Sequence, residues 1–106
     1  MAAPAYTIVY AEAVKGHLVA IDKKHRGVIR SGIETQLSFA PVTETRNRKP
    51  LVRPVEFGAE WELRIGPGNR FRVFYRVREE ERLVDILAIG VKDRNRLTIG
   101  GQEFEE

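Results

Sequence analysis

The stretch RFRVFYRVR, residues 70–78, alternates along its whole length. Phe71, Val73, Tyr75 and Val77 fall on one side, and Arg70, Arg72, Arg76 and Arg78 on the other; Phe74 alone interrupts the arginine row. A period of two marks a strand with one apolar face. Upstream, EWELRI (60–65) alternates in the same way, with Trp61, Leu63 and Ile65 on the apolar side and Glu62 and Arg64 on the polar side. GPGN (66–69) lies between the two as a turn signal. Downstream, EEE (79–81) is a polar connection, and RLVDILAIG (82–90) is nearly all apolar, as in a strand that is central or covered on both faces. VKDRNRL then turns basic, and TIGGQEFEE reads as a short further strand and a frayed tail.

The first two strands set a register. Residues directly opposite in an antiparallel pair share a face, so 61/63/65 and 71/73/75 must coincide. A two-residue loop would pair Ile65 with Arg70 and fail. A loop built on Pro67-Gly68-Asn69 pairs Ile65 with Phe71, Arg64 with Arg72, Glu62 with Phe74 and Glu60 with Arg76. Two like charges then face each other at 64/72, which destabilises a strand pair but suits an anion site.

The N-terminal half has a different period. YTIVY (6–10) is a short β run. Val14, Leu18 and Ile21, then Ile29, Ile33 and Leu37, recur at helical spacing, which predicts two helices over roughly 11–39, with Gly27 as the break and Pro41 beyond the end. Residues 42–59 show no period and read as a long loop, a kind of segment that is often functional. The order is β-α-α-β-β-β. Strands in a block after helices predict an α+β fold, with two N-terminal helices on one face of a twisted antiparallel sheet and the arginine row on an open face.

The length of 106 residues fits a single domain spanning 1–106. There is no cysteine, so no disulfide framework and no thiolate metal site is expected. No apolar run approaches the roughly 18 residues of a membrane span, and no signal peptide is evident, so a soluble cytoplasmic protein without a membrane partner is expected. The net charge is +3. It is unevenly spread: Arg46, Arg48, Lys49, Arg53, Arg64, Arg70, Arg72, Arg76 and Arg78 crowd residues 46–78, a candidate polyanion surface. A solvated basic surface is the plainer reading.

His17 and His25, the only histidines, are eight residues apart and badly placed to share a metal on one helix, so no metal and no cofactor is expected. No GxSxG nucleophile and no phosphate-cradling loop is present. The remaining constellation is basic: Arg64 and Arg72 on facing strands, with Lys92, Arg94 and Arg96 after the apolar strand. Guanidinium groups hold a phosphate through paired hydrogen bonds, and clustered cations stabilise a pentacovalent phosphate without a metal.

WELRIGPGNRFRVFYRV…LVDILAIGVKDRNRL resembles the RelE/ParE superfamily of bacterial type II toxins. The shared features are a basic hairpin strand, a tight turn, an aromatic-Arg strand, an apolar strand ending in glycine, and a basic segment. The resemblance implies a small α+β toxin, an antitoxin partner with which it forms a hetero-oligomer, and one of two activities. RelE-like members are ribosome-dependent mRNA endonucleases that need no metal and leave a 2′,3′-cyclic phosphate; ParE-like members inhibit DNA gyrase. It places the phosphate-holding roles on Arg64, Arg72 and Lys92, with Arg94 as a neighbour; the remaining basic residues Arg46, Arg48, Lys49 and Arg53, with Arg94 and Arg96, are expected to bind RNA. Two positions depart from the pattern. Glu62 stands where RelE has a lysine, and Thr98 stands near its C-terminal tyrosine. Threonine does not replace tyrosine in proton transfer; other members of the family use a carboxylate as base, and the resemblance implies that role for Glu62, on a solvent-facing strand position beside Arg64. The leading expectation is an mRNA interferase that inhibits translation on the ribosome. A gyrase inhibitor is the alternative, as is a catalytically weakened homologue that acts as a partner-binding regulator.

Overall fold

The computed structural model describes residues 5–52, 55 and 57–104. Arg53, one of the candidate RNA-binding residues, lies outside them. Strand β1 (Thr7–Tyr10) is followed by helix α1 (Ala13–Val19), a 3-10 turn (Lys23–His25) and helix α2 (Arg26–Leu37). Then come β2 (Arg48–Pro50), β3 (Trp61–Ile65), β4 (Phe71–Arg78), β5 (Leu83–Asp93), β6 (Arg96–Ile99) and β7 (Gln102–Phe104). The break between the helices falls at Ala20–Asp22 rather than at Gly27, which sits in the first turn of α2. Asp22 starts the 3-10 turn by accepting the Lys24 N–H.

The described strands form one sheet in the order β2-β3-β4-β5-β6-β7, with β1 parallel to β5 and the other pairs antiparallel. The long strand β5 is its axis. Its first half lies between β4 and β1, and its second half between β4 and β6. The stretch 42–59 is not all loop, since β2 adds an edge strand to β3. The β3–β4 register is the one the alternation predicts: Ile65 opposite Phe71, Arg64 opposite Arg72 and Glu62 opposite Phe74. Gly66, at φ 83°, takes the left-handed turn position, where a Cβ would lie 2.5 Å from the Phe71 ring.

One face of the sheet carries the main core. Ile29, Ile33 and Leu37 of α2 and Val14 of α1 pack on Leu63, Val73, Tyr75 and Ile86, all buried. Each such side chain contributes about 1.5–3 kcal/mol by leaving water. Tyr75 carries its hydroxyl into this core and donates to the Pro41 carbonyl at 2.6 Å, which ties the end of the helical segment to the sheet.

The opposite face is not the open surface expected from the arginine row. Phe74, Ala88, Ala59 and Leu97 are buried there under Leu51, Val55, Phe57 and Phe104. Phe57 meets Phe74 edge-on at 5.7 Å, and Phe104 lies 5.7 Å from Phe57. Phe74 therefore interrupts the row because it anchors a second apolar layer. A β-bulge lies between β4 and β5: Phe74 opposes Ala88 and Tyr75 opposes Ile86, with Leu87 left over. The bulge switches parity along β5. Val84 and Ile86 face the helices before it and Ile89 after it, while Leu87 and Ala88 join the second layer.

Candidate nucleic-acid interface

Arg70 precedes β4 and lines a cleft on the helix side, contrary to the row expected; the other three arginines, with Arg64, form two pairs, each built round a buried carboxylate and separated by the Phe74 layer. Arg76 and Arg78 share Asp85: Arg76 Nε donates to Oδ2 at 3.2 Å, and Arg78 donates from Nε to Oδ2 and from Nη2 to Oδ1, both at 3.0 Å. The expected partner of Arg76 was Glu60. Asp85 replaces it because β5 sets that carboxylate directly opposite Arg76 on the other side of β4. Burial alone would push the Asp85 carboxyl up; the hydrogen bonds from Arg78 and Arg76, and then their charges, outweigh it and hold the group below its ordinary range.

Arg64 and Arg72 share Glu62. Glu62 is 2% exposed, contrary to the solvent-facing position expected from the strand pattern. The second apolar layer is the reason, because it closes over the strand position opposite Phe74. Glu62 Oε1 accepts from Arg64 Nε at 2.8 Å and from Arg72 Nη1 at 3.4 Å. The carboxylate thus removes the repulsion that the 64/72 pairing would otherwise carry. Its Oε2 is buried without a hydrogen-bond partner among the described residues.

Both arginines are held on their other sides. Arg72 Nε donates to the Asn69 carbonyl at 3.0 Å. Asn47 brackets the Arg64 backbone, donating from Nδ2 to the Arg64 carbonyl and accepting the Arg64 N–H on its own carbonyl, each at 2.7 Å. Among the described residues these bonds leave Arg64 Nη1 and Nη2 and Arg72 Nη2 unused as donors.

Arg72 lies directly opposite Gly90 on β5, so Lys92, two residues on, shares its face. Without the bulge at Leu87 the parity would turn Lys92 to the helix side. Lys92 has no carboxylate within ion-pair distance among the described residues, and its N–H donates to the Arg70 carbonyl at 2.7 Å. Arg64, Arg72 and Lys92 therefore come together across β3, β4 and β5, about 10 Å from the first strand to the third. Two guanidinium groups on one carboxylate, with Lys92 on the same face, leave an excess of positive charge able to hold a phosphodiester.

The other basic candidates are dispersed. Arg46 is exposed beside Asn47, next to the row. Lys49 lies opposite Glu62 in the β2–β3 register, but its ammonium pairs with Glu44 at 3.5 Å. Arg48 points to the helix side, where Nη1 donates to the Gln36 carbonyl at 2.7 Å and Nε to the Thr43 carbonyl at 2.9 Å. Arg94 and Arg96 sit in the β5–β6 hairpin and line a cleft on the helix side. Thr98 is opposite Val91, also on the helix side. The histidines are apart: His17 Nδ1 accepts the Ile89 N–H at 3.2 Å, and the His25 ring lies 5.2 Å from the Phe71 ring. No group of three or more His, Asp or Glu among the described residues is placed to hold a metal ion.

Asn47 is a site-building residue that pattern reading missed. It lies in an aperiodic segment, and only its position before the short strand 48–50 hints at a role.

Two helices on one face of an antiparallel sheet, with a basic row on the other, define an α+β architecture of the RelE-like kind. Among solved structures it is similar to a chain of the toxin–antitoxin complex RelBE2 from Mycobacterium tuberculosis. The two are similar at a TM-score of 0.64 and 24% sequence identity, over 85% of this chain and 100% of that one. No protein-family model and no curated protein matches the sequence.

Proposed function

We propose that this chain is the toxin of a type II toxin–antitoxin pair and acts as a ribosome-dependent mRNA endonuclease that blocks translation. The observation that carries the reading is the Glu62-braced row of Arg64, Arg72 and Lys92 on a fold shared with a chain of a toxin–antitoxin complex. In the proposed reaction an RNA 2′-hydroxyl oxygen attacks the adjacent phosphorus and the bond to the 5′-oxygen breaks. The products are a 2′,3′-cyclic phosphate and a 5′-hydroxyl; the proton lost from the 2′-oxygen is balanced by one gained at the 5′-oxygen. Arg64 and Arg72 hold the non-bridging oxygens through their unused Nη groups, and Lys92 adds charge stabilisation as negative charge grows in the transition state.

Glu62 positions the two guanidinium groups in this scheme. A general base must reach the proton it removes, and a carboxylate 2% exposed, with Oε1 already between two arginines, is poorly presented to a polymer. The antitoxin is the proposed protein partner, and the ribosome with its mRNA the proposed target. Arg46 and Lys49 flank the row as proposed RNA contacts, and Arg53 is retained with them.

One observation favours the gyrase-inhibitor alternative: Thr98 on the helix side supplies no proton-transfer group to the row. Incubating the purified chain with mRNA-programmed ribosomes tests the leading reading. Cleavage within the decoded codon is the expected result. Intact mRNA, with DNA breaks on expression in cells, would support gyrase inhibition instead.

A further inference from the structure

Several of the cations in this fold are spoken for. Arg64 and Arg72 share Glu62, Arg76 and Arg78 share Asp85, and Arg26 and Arg48 bond backbone carbonyls. Lys24, Arg70, Arg94 and Arg96 have no carboxylate within ion-pair distance among the described residues, and all four line one cleft of about 950 Å³. That size lies within the roughly 300–1,000 Å³ of small-ligand sites. The cleft opens on the helix side of the sheet, at the end away from Asp85, between the 3-10 turn, the β3–β4 turn and the β5–β6 hairpin. Asp22 and Asp93 also line it, but Asp22 is occupied in capping the 3-10 turn.

Four cations against these two carboxylates leave the lining net positive, and an anionic ligand would complete it. A further observation gives that ligand a shape. The cleft is not polar throughout: the half-buried His25 ring, backed at 5.2 Å by the buried Phe71 ring, forms an aromatic wall. Arg94 also adopts φ 58°, a backbone region that favours glycine, in the tight turn between Asp93 and Arg96. Glycine would relax the backbone there, so Arg94→Gly removes the side chain without straining the turn.

We propose that this cleft holds a second segment of single-stranded RNA, with phosphates on Arg94, Arg96 and Lys24 and a base against the His25 ring. The inference rests on the RNA reading of the Arg64–Arg72–Lys92 row and extends it round the end of the sheet. Row and cleft meet at this end of the sheet, where the Lys92 N–H donates to the Arg70 carbonyl at 2.7 Å. A strand seated on the row would pass over this end and into the cleft.

The test is equilibrium binding of labelled octauridylate to the purified chain across a salt series, for wild type, Arg72→Ala, Arg94→Gly and the double variant Arg94→Gly/Arg96→Gln. The cleft variants should bind about tenfold more weakly at ~0.1 M salt, and the double variant should lower the log–log salt slope by about 1.4, near 0.7 for each lost phosphate contact. Arg94→Gly should unfold at or above the wild-type temperature, so weaker binding cannot be ascribed to misfolding. Cleft variants that keep wild-type affinity and slope while Arg72→Ala loses them would overturn the cleft and leave the row standing. Wild-type protein that binds no octauridylate would overturn the cleft together with the RNA reading on which it rests.

Discussion

Glu62→Gln separates a braced pair of arginines from two that merely happen to be close. Glutamine keeps the shape of the side chain and one acceptor for Arg64 Nε. It removes the charge that two guanidinium groups share at 2.8 and 3.4 Å, and it buries an amide whose N–H groups have no acceptor in place where Oε2 now stands unpartnered. An unsatisfied buried polar group costs about 1–3 kcal/mol, and the two charge-assisted bonds fall to neutral strength. The Arg64 share is discounted, because that side chain is 38% exposed and its pairing is screened by water. Arg72, 13% exposed, carries most of the electrostatic loss. The total is about 2–4 kcal/mol, a large fraction of the 5–15 kcal/mol that holds a typical domain together. Trp61, the only tryptophan, stacks on Tyr75 in the same strand pair and reports unfolding by fluorescence. With a urea m-value of about 2 kcal/mol per molar, the midpoint should fall by about 1–2 M. Combined with Arg72→Ala in a double-mutant cycle, Glu62→Gln should show a coupling of about 1–2 kcal/mol. A variant within about 0.5 kcal/mol of wild type, with additive effects in the cycle, would refute the bracing role.

Three further outcomes follow from the core and the sheet. Tyr75→Phe removes the 2.6 Å bond to Pro41 and leaves that carbonyl without its donor, so thermal unfolding should show a loss of about 1–3 kcal/mol. Burial lowers the His17 pKa below 6.5, so the neutral ring that accepts the Ile89 N–H is favoured by folding; stability should be fully present above about pH 6.5 and fall as pH drops through that value toward the folded pKa, and His17→Asn, which keeps an acceptor but does not titrate, should flatten this slope in urea titrations at several pH values. Gly90→Ala places a Cβ 2.7 Å from the Thr98 carbonyl where β5 meets β6, and should cost about 1–3 kcal/mol in the same assay.

The parts of this fold that follow from local pattern were legible. The period-two runs 60–65 and 70–78 and the turn between them set the β3–β4 register, and with it the facing of Arg64 and Arg72. The helical spacing of Val14, Ile29, Ile33 and Leu37 identified the core face of both helices. The second apolar layer was not legible, because Leu51, Val55 and Phe57 come from an aperiodic stretch that gains meaning only when folded over Phe74. RLVDILAIG did carry its trace, being apolar at both parities, but which parity goes where depends on the bulge at Leu87. The turn between β5 and β6 parts Lys92 from Arg96, since Asp93 rather than Lys92 stands opposite Arg96, and a uniform alternation through 92, 94 and 96 would not resolve it. Glu62 looked solvent-facing for want of that layer, and Arg76 was matched with Glu60 because the opposite neighbour, Asp85, is supplied by the next strand.

The proposed chemistry converges on Arg72, bonded to Glu62 and Asn69 and set between Arg64 and Gly90. The direct test compares wild type and Arg72→Ala on mRNA-programmed ribosomes, with the 3′ ends of the fragments identified. Wild type should cleave within the decoded codon and leave a 2′,3′-cyclic phosphate, and the variant should be slower by about 100-fold or more. Equal cleavage by the two proteins, or none by wild type, would contradict the assignment.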